Sequence, residues 1–246
     1  MGTRFELVLH DEEPERFRAA AEAALEEVEA CHRRLTRFEA TGLIGHLRRS
    51  SAEVPLDADT WALFQDAVSV WRDSGGAFDL TIPAGRMEAI LLDPLTRTVR
   101  LAHRALPLDF GAIAKGHALD LAARVLRDAG VTSAFVHGGT SSAFGLGTPP
   151  QSKGWAVAVG PEPGAPFVTL RNTALSVSAV WAGNPHPTVD PRSAAPVAGP
   201  LRVAVVGPSA RLADAWSTAL LVLGERPPAI GPEWQVLILR SPSLGC

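Results

Sequence analysis

Tyrosine is absent from this sequence of 246 residues, and cysteine and lysine are scarce. The two cysteines, Cys31 and Cys246, are too few to suggest a disulfide framework or a cysteine-based metal site. Lys115 and Lys153 are the only lysines among 23 basic residues, so arginine has replaced lysine almost everywhere else. A lysine that is kept in such a chain indicates a site that needs a compact ammonium group rather than a planar guanidinium group.

Long apolar runs and an excess of basic charge are missing as well. No stretch approaches the roughly 20 apolar residues of a membrane span, and the first residues lack the pattern of a secretion signal, so we expect no transmembrane segment. The net charge of -3 gives no broad cationic face, so no nucleic-acid partner is expected. With 46% hydrophobic residues the chain can form a large core, and we predict that residues 1–246 are a single domain.

Capping residues and periodicity predict four helices. They run from Pro14 to Leu35, from an aspartate cap at Asp57 or Asp59 to the glycines at 75 and 76, from Gly111 to Gly130, and from Ser209 to Gly224. The first ten residues alternate like an edge strand, and residues 94–108 predict a hairpin of LTRTVRLA with ALPLDF. Other predicted strands are SAFVHGG, GWAVAVG, FVTLR, ALSVSAV, LRVAVVG and WQVLILR.

The segment LDFGAIAKGHALD, residues 108–120, has the composition of an anion site. Gly111 and Gly116 bracket a tight entry into a helix, and Lys115 lies near the first turn. The free N–H groups of a helix start, together with an ammonium group, bind anions such as phosphate. The simpler interpretation is an ordinary turn into a helix with a surface lysine, because the glycine spacing is not that of a P-loop.

Asp214 and Thr218 have the spacing of two ligands for one hard cation. Positions four apart on a helix lie about 40° apart around its axis, so the carboxylate and the hydroxyl can reach the same ion, and such oxygen donors suit Mg²⁺. The alternative is that Asp214 faces solvent while Thr218 bonds back to the helix. The apolar neighbours of Asp214, with no basic residue three or four positions later, favour a buried carboxylate that needs a partner.

Two glycine-containing segments are less specific. Asp79 in SGGAFDLTI follows a glycine pair, and it either faces away from its apolar neighbours in a strand or caps a turn. The segment HGGTSSAFG, residues 137–145, either presents backbone N–H groups to a ligand or forms a structural bend. From the sequence, both interpretations stand for each segment.

Taken together and in this order, these segments resemble the FAD:protein FMN transferases of the ApbE type. The resemblance runs from MGTRFEL through LTRFEA, SGGAFDLTI, LDFGAIAKGHALDLAARVLRDAGV, the GG loop, GWAVAV and VDPRSAAPV to VVGPSARLADAWSTALLVLG. It covers nearly the whole chain. The combination of AKG and ALDLAA with ADAWSTAL near the end is its most specific part.

The resemblance implies an α+β fold, in which helices flank a largely antiparallel sheet and a smaller α/β lobe helps to form an FAD cleft. It also implies transfer of the FMN half of FAD to a Ser or Thr hydroxyl of a target protein, with Mg²⁺ on the diphosphate and AMP leaving. FAD and a flavin-acceptor protein would be the partners. The alternatives are hydrolysis of FAD to FMN and AMP, and a non-catalytic FAD-binding descendant of the family.

Candidate site residues follow from the resemblance, position by position. The residues expected to contact FAD are Met1, Phe38, Ala77, Phe78, Asp79, Gly111 and Lys115, of which Gly111 and Lys115 would meet the phosphates. Lys115 is also expected to act in catalysis. Mg²⁺ would be held by the carbonyl oxygen of Ala112 and by the side chains of Asp214 and Thr218.

Three features depart from the family's pattern. Thr140 stands where an Asp usually follows the glycine pair, and Ser193-Ala194 stands where Thr-Gly is common. The loop HPTVDPRSAAP has Pro187 at the place of a common histidine, with His186 one position earlier, and we predict that His186 takes over the catalytic role of that histidine. Exported lipoproteins of the family carry a leader before the MGT motif, which here begins at Met1, so a cytoplasmic location is expected; the alternative is an exported lipoprotein without its leader.

Overall fold

Five helices and eleven strands, numbered in chain order, lie within the described part of the chain. The computed structural model describes residues 3–10, 14–82, 85–104, 106–180, 188–199 and 201–240. The helices are α1 (Pro14–Leu35), α2 (Leu43–Arg49), α3 (Ala58–Asp73), α4 (Ala114–Asp128) and α5 (Ala210–Leu223). The strands are β1 (Phe5–Leu9), β2 (Val54–Pro55), β3 (Ile90–Asp93), β4 (Thr98–Leu101), β5 (Ala134–Gly138), β6 (Ser142–Leu146), β7 (Trp155–Ala158), β8 (Phe167–Leu170), β9 (Thr173–Val180), β10 (Leu201–Gly207) and β11 (Gln235–Arg240).

A six-stranded antiparallel sheet organises the molecule. Its spatial order is β1-β5-β6-β9-β10-β11, so β1 is an edge strand as predicted. Strands β2, β4 and β3 form a second antiparallel sheet, and β7 pairs with β8 in a two-stranded ribbon. Helices and antiparallel sheets together confirm the predicted α+β class.

The two faces of the large sheet are covered differently. On one face, side chains such as Val136, Phe144 and Val203 join a large core that includes α4 and α5. On the other face, Leu175 and Ala204 pack against residues of the β7–β8 ribbon in a smaller cluster. Because both faces are covered, every residue of β10 is buried, which explains its continuous apolar sequence.

Local signals explain where the predicted helices begin and end. Helix α3 is capped by Asp57, whose side chain accepts a hydrogen bond from the backbone N–H of Thr60, so Asp57 rather than Asp59 is the cap. Ser209 caps α5 in the same way, and Gly224 ends it with a φ of 71°. All four predicted helices are confirmed. The described residues contain no helix that is long and apolar enough to cross a membrane.

Two expectations about the first half of the chain were wrong. The hairpin pairs β3 with β4, and the segment ALPLDF forms no strand in its described residues, 106–110. Leu106, Leu108 and Phe110 alternate because their side chains are buried in the core, while Pro107 lacks the N–H group that a central strand requires. Helix α2 was not predicted, because it has seven residues and buries only Ile44 and Leu47.

Candidate functional site

Helices α4 and α5 approach each other closely beside Gly116. A Cβ atom at this position would lie 2.0 Å from the carbonyl oxygen of Ala210, so the approach requires glycine. The backbone N–H of Gly116 donates a hydrogen bond of 3.1 Å to Oδ2 of Asp214. The start of α4 and the first turns of α5 therefore meet in one buried polar cluster around Asp214, as the motifs in the two helices require if they serve a single site.

A second contact fixes the start of α5 against α4. The carboxylate of Asp120 accepts hydrogen bonds from the Ser209 hydroxyl at 2.9 Å, from the Ala210 N–H at 2.8 Å and from the Arg211 N–H at 3.0 Å. Burial raises the pKa of Asp120, and these hydrogen bonds oppose that rise. Because α4 caps α5 in this way, the position of Asp214 relative to Lys115 is set by the fold.

Asp214 is a buried carboxylate that lies among donors. Its residue exposure is 2%, so its charge must be satisfied inside the protein. The N–H of Gly116 bonds Oδ2, the hydroxyl of Ser176 donates to Oδ1 over 3.1 Å, and the Lys115 ammonium lies 3.4 Å from Oδ1. The interpretation of Asp214 as a solvent-facing residue was therefore wrong.

Lys115 bridges the loop before α4 and the carboxylate on α5. Its Nζ atom donates to the carbonyl oxygen of Gly111 over 3.2 Å, and it forms the ion pair with Asp214. Its side chain is 22% exposed, so the lysine is largely shielded from solvent. Lys115, one of the two lysines of this arginine-rich chain, thus lies beside a buried carboxylate.

A row of hydroxyl groups lies beside Asp214. Ser176 and Ser178 on β9 contact Ser217 on α5, with oxygen-to-oxygen distances of 3.1 and 2.8 Å. Thr218 donates back to the carbonyl oxygen of Asp214 over 3.3 Å and lies 3.4 Å from the Ser178 hydroxyl. The back-bonding interpretation of Thr218 is confirmed, and the oxygen lone pairs of its hydroxyl remain able to accept a cation.

Ser142 adds a buried hydroxyl that has no hydrogen-bond partner among the residues that the structure describes. It is 4% exposed and lies directly opposite Ser176 in the pairing of β6 with β9, so both side chains face the same side of the sheet. A buried hydroxyl without a partner is destabilising by about 1–3 kcal/mol. The position of Ser142 therefore fits a site in which a bound ligand supplies the missing hydrogen bond.

The serines were missed by the sequence analysis, although a signal for them exists. Ser176 and Ser178 occur in ALSVSAV, where they alternate with Leu175 and Val177. In a strand with period two, this alternation puts the two hydroxyls on one face and the apolar residues on the other. Such a pattern usually indicates a solvent-facing side, and the helix that covers these serines lies more than 30 positions later in the sequence.

The oxygen donors around Asp214 suit a hard cation. In the described residues, no group of three or more His, Cys, Asp or Glu side chains could hold a metal ion. Asp214 supplies one carboxylate, Thr218 one hydroxyl and the loop before α4 carbonyl oxygens, and Mg²⁺ accepts such a set when water and phosphate oxygens complete it. The buried charge of Asp214 and the orphaned hydroxyl of Ser142 fit this use.

A cavity of about 230 Å³ opens beside the start of α4. Phe38 and Gly111, both expected to contact FAD, lie in its wall, and Arg37 forms an ion pair of 3.0 Å with Asp109 across it. Phe38 is 84% exposed, and the Arg37 guanidinium lies 4.9 Å from the centre of its ring. The structure thus brings these two predicted residues to one cavity at the same helix start as Lys115.

The stretch Ala77 to Asp79 is buried in a turn rather than in a strand. Asp79 accepts hydrogen bonds of 2.6 Å from both the N–H and the hydroxyl of Thr81, and burial raises the pKa of its carboxyl. The turn-capping interpretation is therefore confirmed and the strand interpretation was wrong. Leu80 accepts a hydrogen bond of 2.7 Å from the N–H of Asp109, which places this turn beside the chain that leads into α4.

The loop with the sequence DPRSAAP packs on the same side of the molecule as this turn. A Cβ atom added to Gly76 would lie 3.4 Å from the side chain of Arg192. One added to Gly85 would lie 2.6 Å from the carbonyl oxygen of Pro191. Arg192 also binds the Asp190 carboxylate through two hydrogen bonds of 2.9 and 2.7 Å. Ala194 has a φ of 57° where the resembling proteins commonly have glycine.

The remaining predicted residues divide into two groups. Met1 and His186 lie outside the described residues, so their predicted roles stay predictions. Ala112 is half-buried in the loop before α4. Thr140 is exposed in the tight turn between β5 and β6, where Gly139 has a φ of 61°, and this turn leads directly to Ser142. The segment 137–145 is therefore a bend between two paired strands.

Fold and site together describe an α+β protein in which a lysine at the start of one helix meets a buried carboxylate on another. A model of the ApbE family matches residues 1–85 and 83–230 of the chain. The chain belongs to the ApbE family. A FAD:protein FMN transferase from Rhodobacter capsulatus is 36% identical over 138 residues, which are 52% of this chain and 26% of that relative. The chain thus matches about a quarter of that relative's length.

Solved structures agree with the fold. The flavin transferase ApbE from Vibrio cholerae superposes with a TM-score of 0.79 at 20% identity, covering 97% of this chain and 90% of the other. The ApbE protein from Thermotoga maritima has a TM-score of 0.78 at 22% identity and covers 91% and 84%. The flavinyl transferase ApbE from Pseudomonas stutzeri, in its apo form, has a TM-score of 0.72 at 22% identity, covering 90% and 84%.

Proposed function

We propose that this protein transfers the FMN half of FAD to a Ser or Thr hydroxyl of an acceptor protein, in a Mg²⁺-dependent reaction that releases AMP. The observation that carries the proposal is the meeting of the Lys115 ammonium with the buried Asp214 carboxylate where α4 and α5 approach each other. Membership of the ApbE family and the name of the Rhodobacter capsulatus relative support the same activity.

The start of α4 is proposed to bind the diphosphate of FAD. The N–H groups of Ala114 and Gly116 in its first turn already donate to the Phe110 carbonyl oxygen and to the Asp214 carboxylate, so the attraction for an anion is proposed to come from the positive end of the helix dipole. Lys115 in this turn adds a positive charge that can reach phosphate oxygens. Together these groups position the diphosphate next to Asp214.

Asp214, Thr218 and the carbonyl oxygen of Ala112 are proposed to hold Mg²⁺. A bound Mg²⁺ neutralises the diphosphate charge and stabilises AMP as the leaving group. The chain's contribution is to hold the carboxylate in a fixed orientation, through the hydrogen bonds from Gly116 and Ser176.

The transfer step exchanges one phosphorus–oxygen bond for another. The acceptor hydroxyl oxygen bonds to the phosphorus of the FMN phosphate, and the bond from that phosphorus to the bridging oxygen breaks, so AMP leaves with the bridging oxygen. The proton of the hydroxyl must pass to a base, and His186 is the residue proposed for this role. Lys115 stabilises the charge that develops on the phosphate oxygens. The cavity beside Phe38 and Gly111 is proposed to take part of the FAD molecule.

The test is incubation of the protein with FAD, Mg²⁺ and a protein fraction from the same organism, followed by chromatography of nucleotides and mass spectrometry of proteins. Transfer predicts AMP together with a protein adduct of the mass of FMN, and both products should disappear when EDTA removes the metal. Free FMN and AMP in equal amounts, without an adduct, would instead identify hydrolysis of FAD.

A non-catalytic FAD-binding protein is the second candidate. Thr140 favours it, because the exposed turn between β5 and β6 lacks the carboxylate that resembling proteins have after the glycine pair. The retained pairing of Lys115 with Asp214 favours catalysis. FAD that stays intact and bound after long incubation with Mg²⁺ would establish the binding function.

A further inference from the structure

The Lys115 ammonium lies in a position lined by oxygen atoms. Its nitrogen is 3.2 Å from the carbonyl oxygen of Gly111 and 3.4 Å from Oδ1 of Asp214. The carboxylate is nearly inaccessible, whereas the lysine side chain retains 22% of its exposure. The Lys115 ammonium group therefore covers Oδ1 of the Asp214 carboxylate.

One of these atoms, Oδ1 of Asp214, belongs to the carboxylate that is proposed to hold the metal, and both are of the type that a divalent cation uses. A carbonyl oxygen and a carboxylate oxygen are ordinary ligands of Mg²⁺ and Mn²⁺. An ammonium group and a divalent ion cannot both contact Oδ1 closely, because like charges a few ångströms apart repel strongly in a partly buried site. One of the two cations must therefore move away from Oδ1.

Lysine is the partner that can move. Asp214 is held at Oδ2 by the N–H of Gly116 and at Oδ1 by the hydroxyl of Ser176, so its carboxylate cannot turn to offer a different oxygen. Lys115 has a flexible stem of four carbons, and its partial exposure leaves room for another rotamer. The backbone of α4 need not shift for the ammonium to leave.

We propose that Lys115 competes with the metal for Asp214. In the nucleotide-free protein its ammonium group occupies the position beside Asp214 that the divalent cation takes when cation and nucleotide are bound. This inference rests on the metal site of the proposed function. When the cation enters, Lys115 moves from Asp214 toward the phosphate oxygens at the start of α4. A bound diphosphate attracts Lys115 and so uncovers Oδ1, which makes cation and diphosphate binding mutually reinforcing.

The first experiment measures Mn²⁺ binding without nucleotide, by calorimetry or by the electron spin resonance of free Mn²⁺. We expect Lys115→Met to bind Mn²⁺ about tenfold more tightly than the wild-type protein, because the competing cation is gone. Lys153→Met is the matched control, since it removes the same charge from an exposed position and should leave the affinity unchanged. Equal or weaker binding by Lys115→Met, or no binding by either protein at millimolar Mn²⁺, would overturn the proposal.

The second experiment follows Lys115 in the wild-type protein and does not depend on the variant folding. Because the chain has two lysines, labelling lysine with ¹⁵N at Nζ gives two ammonium signals, and Lys153→Met assigns them. We expect the Lys115 signal to shift toward that of a free lysine as Mg²⁺ is added without FAD, while the Lys153 signal stays in place. A Lys115 signal that stays fixed while Mg²⁺ binds refutes the displacement.

These readouts separate the inference from the proposed function. If FAD is cleaved with Mg²⁺ but Lys115→Met does not tighten Mn²⁺ binding, the competitor role fails and the transferase proposal stands. If Mn²⁺ binding tightens and the Lys115 signal moves, but FAD stays intact, the competitor role stands and the transferase proposal fails.

Discussion

The α4–α5 pair contains two polar clusters that differ in how completely their groups are satisfied. The support cluster consists of His117, Asp120, Arg211 and Asp66. Arg211 binds Asp66 over 2.7 Å and lies 3.4 Å from Nδ1 of His117, while Asp120 accepts three hydrogen bonds from the start of α5. Burial, with a contribution from the Arg211 charge, lowers the pKa of His117 to about 3, so this histidine is neutral in the folded protein.

The second cluster surrounds Asp214 and is less complete. Its Ser142 hydroxyl has no partner among the described residues, whereas the exposure of Lys115, 22%, is close to the 18% of Arg211 in the support cluster. Both clusters bury charge between the same helices, so burial alone does not distinguish a site from a structural network. The difference lies in the unsatisfied hydrogen-bonding capacity of Ser142. The comparison predicts that changes in the support cluster alter stability, whereas changes around Asp214 alter ligand binding and turnover.

The largest effect is expected for Asp214→Asn. The amide keeps the shape but loses the charge that the proposed cation requires, so the rate of FAD cleavage should fall at least about 100-fold. The measurement is AMP release at saturating FAD and Mg²⁺. Asp66→Asn is the control, because it removes a carboxylate from the support cluster. It should lower the free energy of unfolding by about 1–2 kcal/mol and leave turnover within about threefold. Equal losses of turnover in both variants would contradict the distinction.

Gly116→Ala should cause the largest loss of stability. The new Cβ would collide with the carbonyl oxygen of Ala210, so α4 and α5 must move apart. We expect the free energy of unfolding in urea to fall by about 3 kcal/mol. Gly111→Ala is the milder comparison, since its Cβ would meet only the Asp109 carboxylate at 3.0 Å. If Gly116→Ala were as stable as Gly111→Ala, the close approach of the two helices would be refuted.

His117 should make folding stability depend on pH. The unfolded chain protonates His117 below about pH 6.5, whereas the folded protein does so only near pH 3. Between these values the unfolded state binds more protons, so stability rises with pH, by at most about 1.4 kcal/mol per pH unit for one group. Urea unfolding at pH 7 and pH 5 should show this loss on acidification in the wild-type protein. The loss should be smaller in His117→Gln, and an identical loss in both proteins would contradict the buried neutral state.

The smallest effects are expected for the paired serines. Ser176→Ala removes a donor from the Asp214 carboxylate and should lower the free energy of unfolding by about 1 kcal/mol. Ser142→Ala removes a hydroxyl without a partner, so the ligand-free protein should change by less than about 0.5 kcal/mol while its affinity for FAD with Mg²⁺ falls several-fold. Urea unfolding and equilibrium dialysis measure the two quantities. A stability loss in Ser142→Ala equal to that of Ser176→Ala would show that both hydroxyls serve the fold.

Sequence patterns predicted those features that depend on neighbouring residues in the chain. Capping residues located α3 and α5, helix-forming composition and apolar periodicity located α1 and α4, and the apolar surroundings of Asp214 indicated a buried carboxylate. The site itself depends on residues far apart in the sequence, since Gly116 and Asp214 are separated by 98 positions. Their meeting was inferred from the resemblance to a family and not from spacing.

The errors of sequence analysis have physical causes. The buried alternation of residues 106–110 resembles that of a strand, because alternation reports burial and not the presence of a pairing strand. The serines of β9 were missed because their polar face becomes buried only when α5 packs on the sheet. The alternation in ALSVSAV shows which side chains share a face of the strand, and it does not show what covers that face.

The central claim is that Asp214 and Lys115 bind one diphosphate together with one divalent cation. The most direct test is equilibrium dialysis of an FAD analogue with a methylene bridge between its phosphates, which cannot be cleaved there, with and without Mg²⁺. We predict that Mg²⁺ tightens binding to the wild-type protein at least about tenfold and has little effect on Asp214→Asn. An equal effect of Mg²⁺ on both proteins, or no effect on the wild-type protein, would contradict the claim.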